Sequence, residues 1–378
     1  MKIKRIILII NLFLILPSLA FGQNTVPVID TVRVEQRINT KKVDIYYDVL
    51  DFDNDNLVVL LKVSDDGGAT FNIPAQTFSG DYGLGIVPGN NKQIMWNAGI
   101  DYPEQVGENY RVKLIVSDVK IDDISQLEQG NFLMGEGAGI DDPVHEIMLD
   151  AYGICTHAVS NEEYKLFCDD TNRNCPQEGD NYQAPTGYFL NFRNYPVVGV
   201  SWYDAVSFCN WLSELDNLEP CYNLSNWTYD SSKNGYHLPS EAQWEKASRG
   251  ALSQKTYPWG DAAPGNRCNY RNYAGALQEM MPNFDGQGRG TLPVDSLNAN
   301  YYNLYNIAGN VWEWCNDWYE ENYYNQSPPE NPQGPNSGDF KVLRGGAWNT
   351  AEIKLHCAAR YSKVPGTKRY DIGFRIAK

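Results

Sequence analysis

Cysteine and histidine are the residues of this sequence whose side chains are best suited to metal or redox chemistry. The chain has eight cysteines, all in its C-terminal two thirds, and four histidines that show no paired metal-site spacing. An even number of cysteines favours disulfides in an oxidising compartment. Two pairs are near enough in sequence to close short loops: Cys168 with Cys175, and Cys209 with Cys221. Which cysteines pair stays open, because the sequence alone does not fix connectivity.

An acidic run at Asp51–Asn56 has the alternating oxygen side chains of a calcium loop. The full twelve-residue pattern requires Gly at its sixth position and Glu at its twelfth, where this chain has Asn56 and Lys62. Asp and Asn also favour turns by bonding to nearby backbone groups, so we predict a solvated hairpin turn. Motifs typical of serine hydrolases and phosphate-binding loops are absent from the sequence.

The first 22 residues have the pattern of a secretory signal. Three cations precede an apolar run over residues 6–16, and Ala20-Phe21-Gly22 offers a cleavage site. We therefore expect an exported protein, secreted or periplasmic, with no transmembrane segment in the mature chain. An uncleaved, membrane-anchored signal is the alternative. Cleavage would take the formal charge from −16 to −19, which disfavours nucleic acid as a partner.

The rest of the chain divides into two regions that differ in their sequence patterns. Residues 23–118 alternate apolar and polar positions in about seven short runs separated by turn residues, which predicts a β-sandwich. This pattern resembles immunoglobulin-like and fibronectin type III-like modules. Residues 119–128 are predicted as a polar linker, and residues 129–378 as a second, loop-rich α+β domain.

Two helices are predicted in the second region. In the first, Ala205, Phe208 and Leu212 fall on one face at helical spacing, together with Cys209. The second begins at Ser240, where Gln243 completes a capping box. Most of the remaining region is predicted as ordered loops that aromatic packing and glycine turns hold in place.

Nine motifs of this region occur in the order found in one known family. They are Gly130–Gly135, Pro143–Ile147, Pro196–Trp202, Leu238–Glu245, Pro258–Asp261, Asn306–Trp314, Leu343–Trp348, Ala358–Arg360 and Gly373–Arg375. Through them, residues from about 124 to 378 resemble the formylglycine-generating enzyme, or sulfatase-modifying-factor, domain. The resemblance implies a compact, loop-rich fold related to the C-type lectin-like fold.

The founding activity of that family is oxidation of a substrate cysteine to formylglycine with copper held by two thiolates. In the register of those two cysteines this chain has Thr350 and Leu355. We therefore expect neither copper nor formylglycine-generating activity. The family disulfides are also changed, since Ile376 and Ser248 stand at the positions of the usual partners of Cys209 and Cys357.

The resemblance also implies calcium. One family site maps onto Asn306, Gly309, Val311 and Glu313, which offer the oxygen ligands that a hard cation requires. The alternative is a glycine turn in which Glu313 pairs with an arginine. A second family site maps onto Asn269, the Tyr270 carbonyl and Asp285, in a register that an apparent insertion near Gly286 disturbs.

A ligand cleft is expected near the position of the substrate peptide in the family enzymes. Its candidate residues are Trp312, Ala347, Trp348, Asn349 and Thr350. Aromatic rings with amide and hydroxyl groups suit a peptide, a glycan or a surface protein, although core packing of the tryptophans is the alternative. Arg344, Arg360 and Arg375 are interpreted as buried bridges.

Three functions are compatible with these sequence features. The leading prediction is an exported domain that binds such a partner without copper oxidation. The first alternative is an oxidoreductase or protein-modifying enzyme that uses the same cleft with different chemistry. The second is a structural component of an envelope or surface assembly.

Overall fold

The computed structural model describes residues 25–103, 109–121, 123–137, 143–176, 184–284 and 288–378. The predicted signal at 1–22 and Asp285 lie outside these ranges. The chain forms two compact units. The N-terminal unit is Met1–Lys120 with Asp169–Arg173, and the C-terminal unit is Ile121–Cys168 with Asn174–Lys378. None of the helices in the described ranges combines the length and apolar character needed to cross a bilayer.

In its described residues, the N-terminal unit has seven strands in two antiparallel sheets, ordered β1-β2-β6-β4 and β5-β3-β7. Its elements are β1 (Val28–Gln36), β2 (Lys42–Leu50), β3 (Leu57–Ser64), β4 (Phe78–Gly80), β5 (Gly83–Ile86), β6 (Gly89–Asn97), the short helix α1 (Ala98–Asp101) and β7 (Arg111–Ser117). Alternate residues of β2, such as Val43 and Ile45, share one apolar core with Leu57 and Val59 of β3. The two sheets therefore bury a common core.

The acidic run at residues 51–56 is a turn, but it does not join a hairpin. It connects β2 to β3, which lie in different sheets. The Asp51 carboxylate accepts hydrogen bonds from the backbone N–H groups of Asp53 and Asp55, at 3.4 and 2.8 Å. The Asp51 carboxylate therefore stabilises the turn through hydrogen bonds to its backbone. The hairpin prediction was wrong about topology because local turn chemistry does not say which sheet the next strand joins.

The C-terminal unit combines a few helices with many short strands. Its strands are β8 (Ile124–Leu127), β9 (Gly130–Met134), β10 (His145–Leu149), β11 (Tyr152–Cys155), β12 (Tyr222–Asn223), β13 (Thr228–Tyr229), β14 (Trp312–Trp318), β15 (Lys341–Arg344), β16 (Arg360–Lys363) and β17 (Ile372–Gly373). Its helices are α2 (Asn161–Thr171), whose residues from Asp169 onward are assigned to the N-terminal unit, α3 (Tyr188–Asn191), α4 (Trp202–Leu215) and α5 (Glu241–Arg249), with 3₁₀ turns at Gln278–Met280, Tyr323–Asn325 and Glu352–Leu355. Among the described residues, the largest sheet of this unit is ordered β16-β15-β14-β17, and β17 joins it in parallel.

β8 lies inside the segment predicted as a linker. It pairs with β11, and Leu127 at its end is buried in the core. The linker prediction over 119–128 therefore needs correction, because a short strand whose partner is distant in sequence gives almost no periodic signal.

The two predicted helices are present as α4 and α5. In α4 the predicted apolar face is fully buried, with Ala205, Phe208 and Leu212 at 0% exposure. In α5 the Ser240 hydroxyl accepts from the Gln243 N–H at 3.1 Å, while the Gln243 side chain accepts from the Ser240 N–H at 2.8 Å. The predicted capping box is confirmed.

The last residues of the chain close the C-terminal unit. Gly153 and Lys378 exchange two backbone hydrogen bonds, as do His237 and Ala377. Further along, the Cys155 N–H donates to the Ile376 carbonyl at 2.9 Å. Phe374, Ile376 and Ala377 are fully buried, so this segment belongs to the core.

Candidate functional site

The Asn306–Trp314 motif leads into β14 through a close contact between two backbone segments. Gly309 has a φ of +85°, and a Cβ at this position would lie 2.2 Å from the Asn269 carbonyl oxygen. The neighbouring Asn310 N–H donates to that same oxygen at 2.8 Å. Glycine thus permits the close approach that places the first predicted calcium segment against Asn269 of the second.

The side chain of Asn306 is bonded at one end only. Its Nδ2 donates to the carbonyls of Pro293 and Val294 at 2.9 and 3.0 Å. Its Oδ1 is buried and has no hydrogen-bond partner among the residues that the structure describes. A buried acceptor without a donor is costly, so this oxygen is suited to a cation.

Glu313, the predicted carboxylate ligand, forms a bidentate ion pair with Arg375. Arg375 donates to its two oxygens at 2.7 and 2.8 Å, and Trp244 Nε1 donates to Oε2 at 2.7 Å. This pairing is the one named in the alternative interpretation. A carboxylate has about four lone-pair sites, so three hydrogen bonds do not exhaust its capacity. The other predicted ligand, Val311, is buried in an apolar cluster with Tyr188 and Val198.

The second predicted calcium set is described only in part. Asn269 Nδ2 donates to the Gly290 carbonyl at 2.9 Å and to Asn310 Oδ1 at 3.1 Å. The Tyr270 carbonyl accepts from the Tyr273 N–H at 2.9 Å. Asp285 lies outside the described residues.

Thr350 and Leu355, which the family resemblance places in the register of the copper cysteines, have structural roles. The Thr350 hydroxyl donates to the Ala347 carbonyl at 2.9 Å and accepts from the Ala347 N–H at 3.0 Å, which closes a tight turn. Leu355 is buried in an apolar cluster with Tyr257 and Cys268. Neither side chain offers a soft ligand.

Cys268, which shares an apolar cluster with Leu355, and Cys357, two residues further along the chain, are both buried. Burial raises the pKa of Cys268 to about 12 and that of Cys357 to about 11. The Ser248 hydroxyl donates to Cys357 Sγ at 3.4 Å, as expected if Ser248 replaces a disulfide partner. The sequence did not indicate that Cys268 lies beside Leu355, because the two are distant along the chain.

The predicted disulfides are not seen. Six buried cysteines are free thiols: Cys155, Cys209, Cys221, Cys268, Cys315 and Cys357. The pairing of Cys209 with Cys221 is therefore absent, and that of Cys168 with Cys175 is not shown. The Cys221 thiol instead donates to the Gly235 carbonyl at 3.3 Å.

The five predicted cleft residues divide into a buried and a partly exposed group. Trp312, Ala347 and Trp348 are buried, whereas Asn349 and Thr350 are half-buried. The Trp312 ring packs on Tyr361, with 4.9 Å between centroids, inside the largest sheet. Its contribution is thus to the core.

Trp348 lies in an aromatic cluster with Phe284 and Tyr370, at centroid distances of 5.6 and 5.7 Å. Asn349 Nδ2 donates to Asp371 at 3.1 Å, and the Asn349 carbonyl accepts from Arg271 Nε at 3.0 Å. An aromatic cluster with polar groups beside it is therefore present near the predicted cleft.

Charged side chains link α5 to the largest sheet in the interior. Arg344 donates to Glu241 and Glu245 at 3.1 and 2.5 Å, and Arg360 Nε donates to Glu241 at 2.8 Å. Burial alone would raise the pKa of Glu241, but the charges of Arg360 and Arg344 outweigh it and hold that pKa low. The three arginines were correctly interpreted as buried bridges.

Asp317 and Lys341 were not singled out in the sequence. Burial, reinforced by the nearby charge of Glu241, raises the pKa of Asp317 to about 7. Burial likewise lowers the pKa of Lys341 to about 7. The Lys341 ammonium lies between two indole rings, 4.1 Å from the Trp202 centroid and 3.9 Å from that of Trp318. Nothing in the sequence pattern marks this arrangement.

Residues 114–378 match the sulfatase-modifying factor enzyme 1-like domain family, which is more than half of the chain. The chain belongs to this family. Formylglycine-generating enzyme of Streptomyces coelicolor is 30% identical over 67% of this chain and 88% of its own length. Inactive C-alpha-formylglycine-generating enzyme 2 of Bos taurus is 26% identical over 67% of this chain and 86% of its own.

The family domain also occurs within larger proteins. Serine/threonine-protein kinase pkn1 of Chlamydia caviae is 34% identical, and the matched region spans 67% of this chain but 37% of that kinase. Among solved structures, Treponema denticola variable protein 1 is 28% identical with a TM-score of 0.54, covering 67% of this chain and 94% of that protein. In the described part of the chain, no group of three or more His, Cys, Asp or Glu residues is arranged to hold a metal.

Proposed function

We propose that this protein is an exported member of the family that binds a peptide, glycan or cell-surface partner and does not generate formylglycine. The observation that carries the proposal is the pair Thr350 and Leu355. One hydroxyl is committed to a turn and one hydrocarbon side chain is buried, where copper(I) needs two soft thiolates. These residues do not fit the family's copper site.

The nearby thiols of Cys268 and Cys357 do not replace the two missing copper ligands. Burial raises the pKa of Cys268 and Cys357, which disfavours the thiolate, the form that binds a metal. Cys357 also accepts a hydrogen bond from Ser248. The inactive cattle relative supports the view that this domain exists without the oxidation.

The partner-binding part of the proposal rests on the partly exposed side of the aromatic cluster. Phe284 and Tyr370 are half-buried around Trp348, and the exposed Arg271 adjoins them through Asn349. Aromatic rings beside hydrogen-bonding groups are typical of sites that take peptides or sugars. An enzyme of different chemistry would use the same surface, so turnover must be measured directly.

Calcium is proposed at Asn306, Gly309, Val311 and Glu313. The donor set of amide, carbonyl and carboxylate oxygens fits this ion, and the unpartnered Asn306 Oδ1 is the observation in its favour. The second set, Asn269, Tyr270 and Asp285, is proposed from the family resemblance alone. Calcium would serve to hold loops together and not to carry out chemistry.

The remaining architecture completes the proposal. Residues 1–22 serve as a signal peptide, and the two antiparallel sheets of the N-terminal unit form an immunoglobulin-like or fibronectin type III-like sandwich. The C-terminal unit adopts the loop-rich, C-type lectin-like fold of its family.

The test measures copper content and product together. Purified protein is incubated with copper(I), oxygen and a sulfatase-type cysteine peptide, and formylglycine is sought by mass spectrometry. We expect no product and no stoichiometric copper from the wild type or from a Thr350→Ser/Leu355→Ile control. Thr350→Cys/Leu355→Cys is expected to retain copper, because it restores two thiols in the family register. Wild-type product with stoichiometric copper would overturn the proposal.

A further inference from the structure

A pocket of about 460 Å³ lies in the C-terminal unit, apart from the cleft residues and the copper register. Its floor includes the buried residues Leu304, Ile307 and Ala308. This volume is within the range typical of small-molecule sites. The pocket is therefore large enough for one or two sugar-sized rings.

Two aromatic residues line the pocket and are available to a ligand. The Trp259 ring is stacked on Tyr257, with 5.1 Å between centroids and 6° between planes, and its Nε1 donates to the Ala262 carbonyl at 2.8 Å. The stack and this hydrogen bond fix the orientation of the indole. Tyr301 also lines the pocket and is 78% exposed. An exposed tyrosine beside a fixed tryptophan offers apolar ring surface to a ring-shaped ligand.

The polar lining is cationic and amide in character. Arg267 is exposed; its Nη1 donates to the Ala263 carbonyl at 3.0 Å, and no carboxylate pairs with it in the described part of the chain. Asn298 is exposed at the same pocket. No aspartate or glutamate is among the described residues that line this pocket, although the whole chain carries a formal charge of −16.

These groups together define the chemistry of the ligand. A planar guanidinium recognises a carboxylate with two parallel hydrogen bonds, and an amide both donates to and accepts from hydroxyl groups. The aromatic surface favours a ring with an apolar face. We infer that this pocket binds an acidic sugar, a hexuronate unit, with its carboxylate on Arg267, its hydroxyls at Asn298 and its ring against Trp259 and Tyr301.

The inference is independent of the calcium proposal, although Asn306 also lines the pocket. Asn306 Oδ1 is shielded from solvent, so a ligand in the pocket does not reach it. It is equally independent of the aromatic cluster around Trp348. All binding measurements are made in calcium-containing buffer, so that release of calcium from the protein does not change the measured sugar affinity.

The test is a titration of the purified protein with D-glucuronate, followed by ligand-observed NMR or calorimetry. D-glucose is the neutral control, and benzoate is a ring carboxylate without hydroxyls. We expect glucuronate to bind at least about tenfold more tightly than glucose, because only glucuronate gains a charge-assisted hydrogen bond. We also expect it to bind more tightly than benzoate, because only glucuronate has hydroxyl groups for Asn298. Equal affinity for glucose, tighter binding of benzoate, or no binding of glucuronate would overturn the inference.

Variants identify the pocket as the binding site. Arg267→Gln is expected to remove the preference for glucuronate over glucose, and Tyr301→Ala to weaken both sugars. Both side chains are exposed, so neither change is expected to affect folding, which circular dichroism verifies. Lys354→Gln, which removes an exposed cation that does not line the pocket, is the matched control. Retention of the glucuronate preference in Arg267→Gln contradicts the assignment.

Discussion

The side-chain oxygens of Asn306 and Glu313 differ in how well each could bind a cation in the Asn306–Trp314 motif. Glu313 has both oxygens engaged by Arg375 and Trp244, so its negative charge is already compensated within the fold. Asn306 differs, since its Oδ1 is buried and no described residue donates a hydrogen bond to it. Of the two side chains, the asparagine therefore has the greater need of a cation, and its removal gives the cleaner test of calcium binding.

At the scale of this residue, Asn306→Gly is expected to abolish stabilisation by calcium. A ligand that binds only the folded state adds about 2–3 kcal/mol when its concentration is about a hundredfold above Kd. Thermal unfolding in calcium and in chelator measures this shift. Glycine tolerates the φ of +48° at this position, and Asn303→Gly, at a φ of +59°, is the matched control. An equal calcium shift in wild type and Asn306→Gly would show that calcium binds elsewhere.

Helix α5 is the element that connects the two ends of the buried charge network. Its first residue, Glu241, contacts Arg344 and Arg360, and Glu245 one turn later contacts Arg344 and Arg249. The helix must start at a fixed residue for both carboxylates to face these arginines. The capping box at Ser240 supplies that start.

Ser240→Ala is accordingly expected to destabilise the C-terminal unit by about 1–2 kcal/mol, the upper part of the usual range for loss of an N-cap, because this cap is buried. Urea unfolding followed by tryptophan fluorescence measures the change, since nine of the ten tryptophans lie in this unit. Ser253→Ala, at an exposed turn, is expected to leave stability unchanged. Equal stability of both variants would mean that the cap does not fix α5.

Elements with local signals could be predicted from the sequence, and elements with distant partners could not. Helices α4 and α5 follow from spacing and capping within about a dozen residues. Strand β8 depends on β11, and Lys341 depends on Trp202 and Trp318, which no local pattern connects. The site was reached at Thr350 and Leu355 only through the family resemblance. The pocket beside Trp259 was missed because its lining comes from separate loops.

At the scale of the whole molecule, charge is distributed unevenly between surface and interior. The chain is strongly acidic overall, but its C-terminal unit also buries Arg344, Arg375 and Lys341 with carboxylates close by. Removing one partner from such a network leaves an uncompensated charge, which is costly. The stability of the unit therefore depends on the protonation of a few interior groups.

Asp317 determines how the stability of the C-terminal unit changes with pH. Its pKa is raised to about 7 in the folded state, against 3.8 for the free side chain, so the folded state holds a proton that the unfolded chain releases. The protonated Asp317 carboxyl group makes its full contribution to the free energy of unfolding below about pH 4, and this contribution is lost as pH rises through 7. Asp317→Asn is expected to gain stability relative to wild type between pH 4.5 and about 7.5, on the order of 3 kcal/mol.

Urea unfolding at several pH values measures the difference between the two proteins. Asparagine keeps an oxygen that accepts from the Glu241 N–H, as Asp317 Oδ2 does at 2.8 Å. Asp339→Asn, which changes an exposed carboxyl group, is the control and is expected to show no such trend. A difference that does not vary with pH would contradict the assignment of this proton to Asp317.

The closing segment at Phe374–Lys378 has a consequence for biosynthesis. Its backbone bonds to Gly153, Cys155 and His237, and its apolar side chains fill the core. A ribosome has therefore synthesised more than two hundred residues of the C-terminal unit before the segment that completes it exists. Until then the nascent unit exposes the apolar surface that this segment covers, and it does so for longer than a domain closed by local contacts.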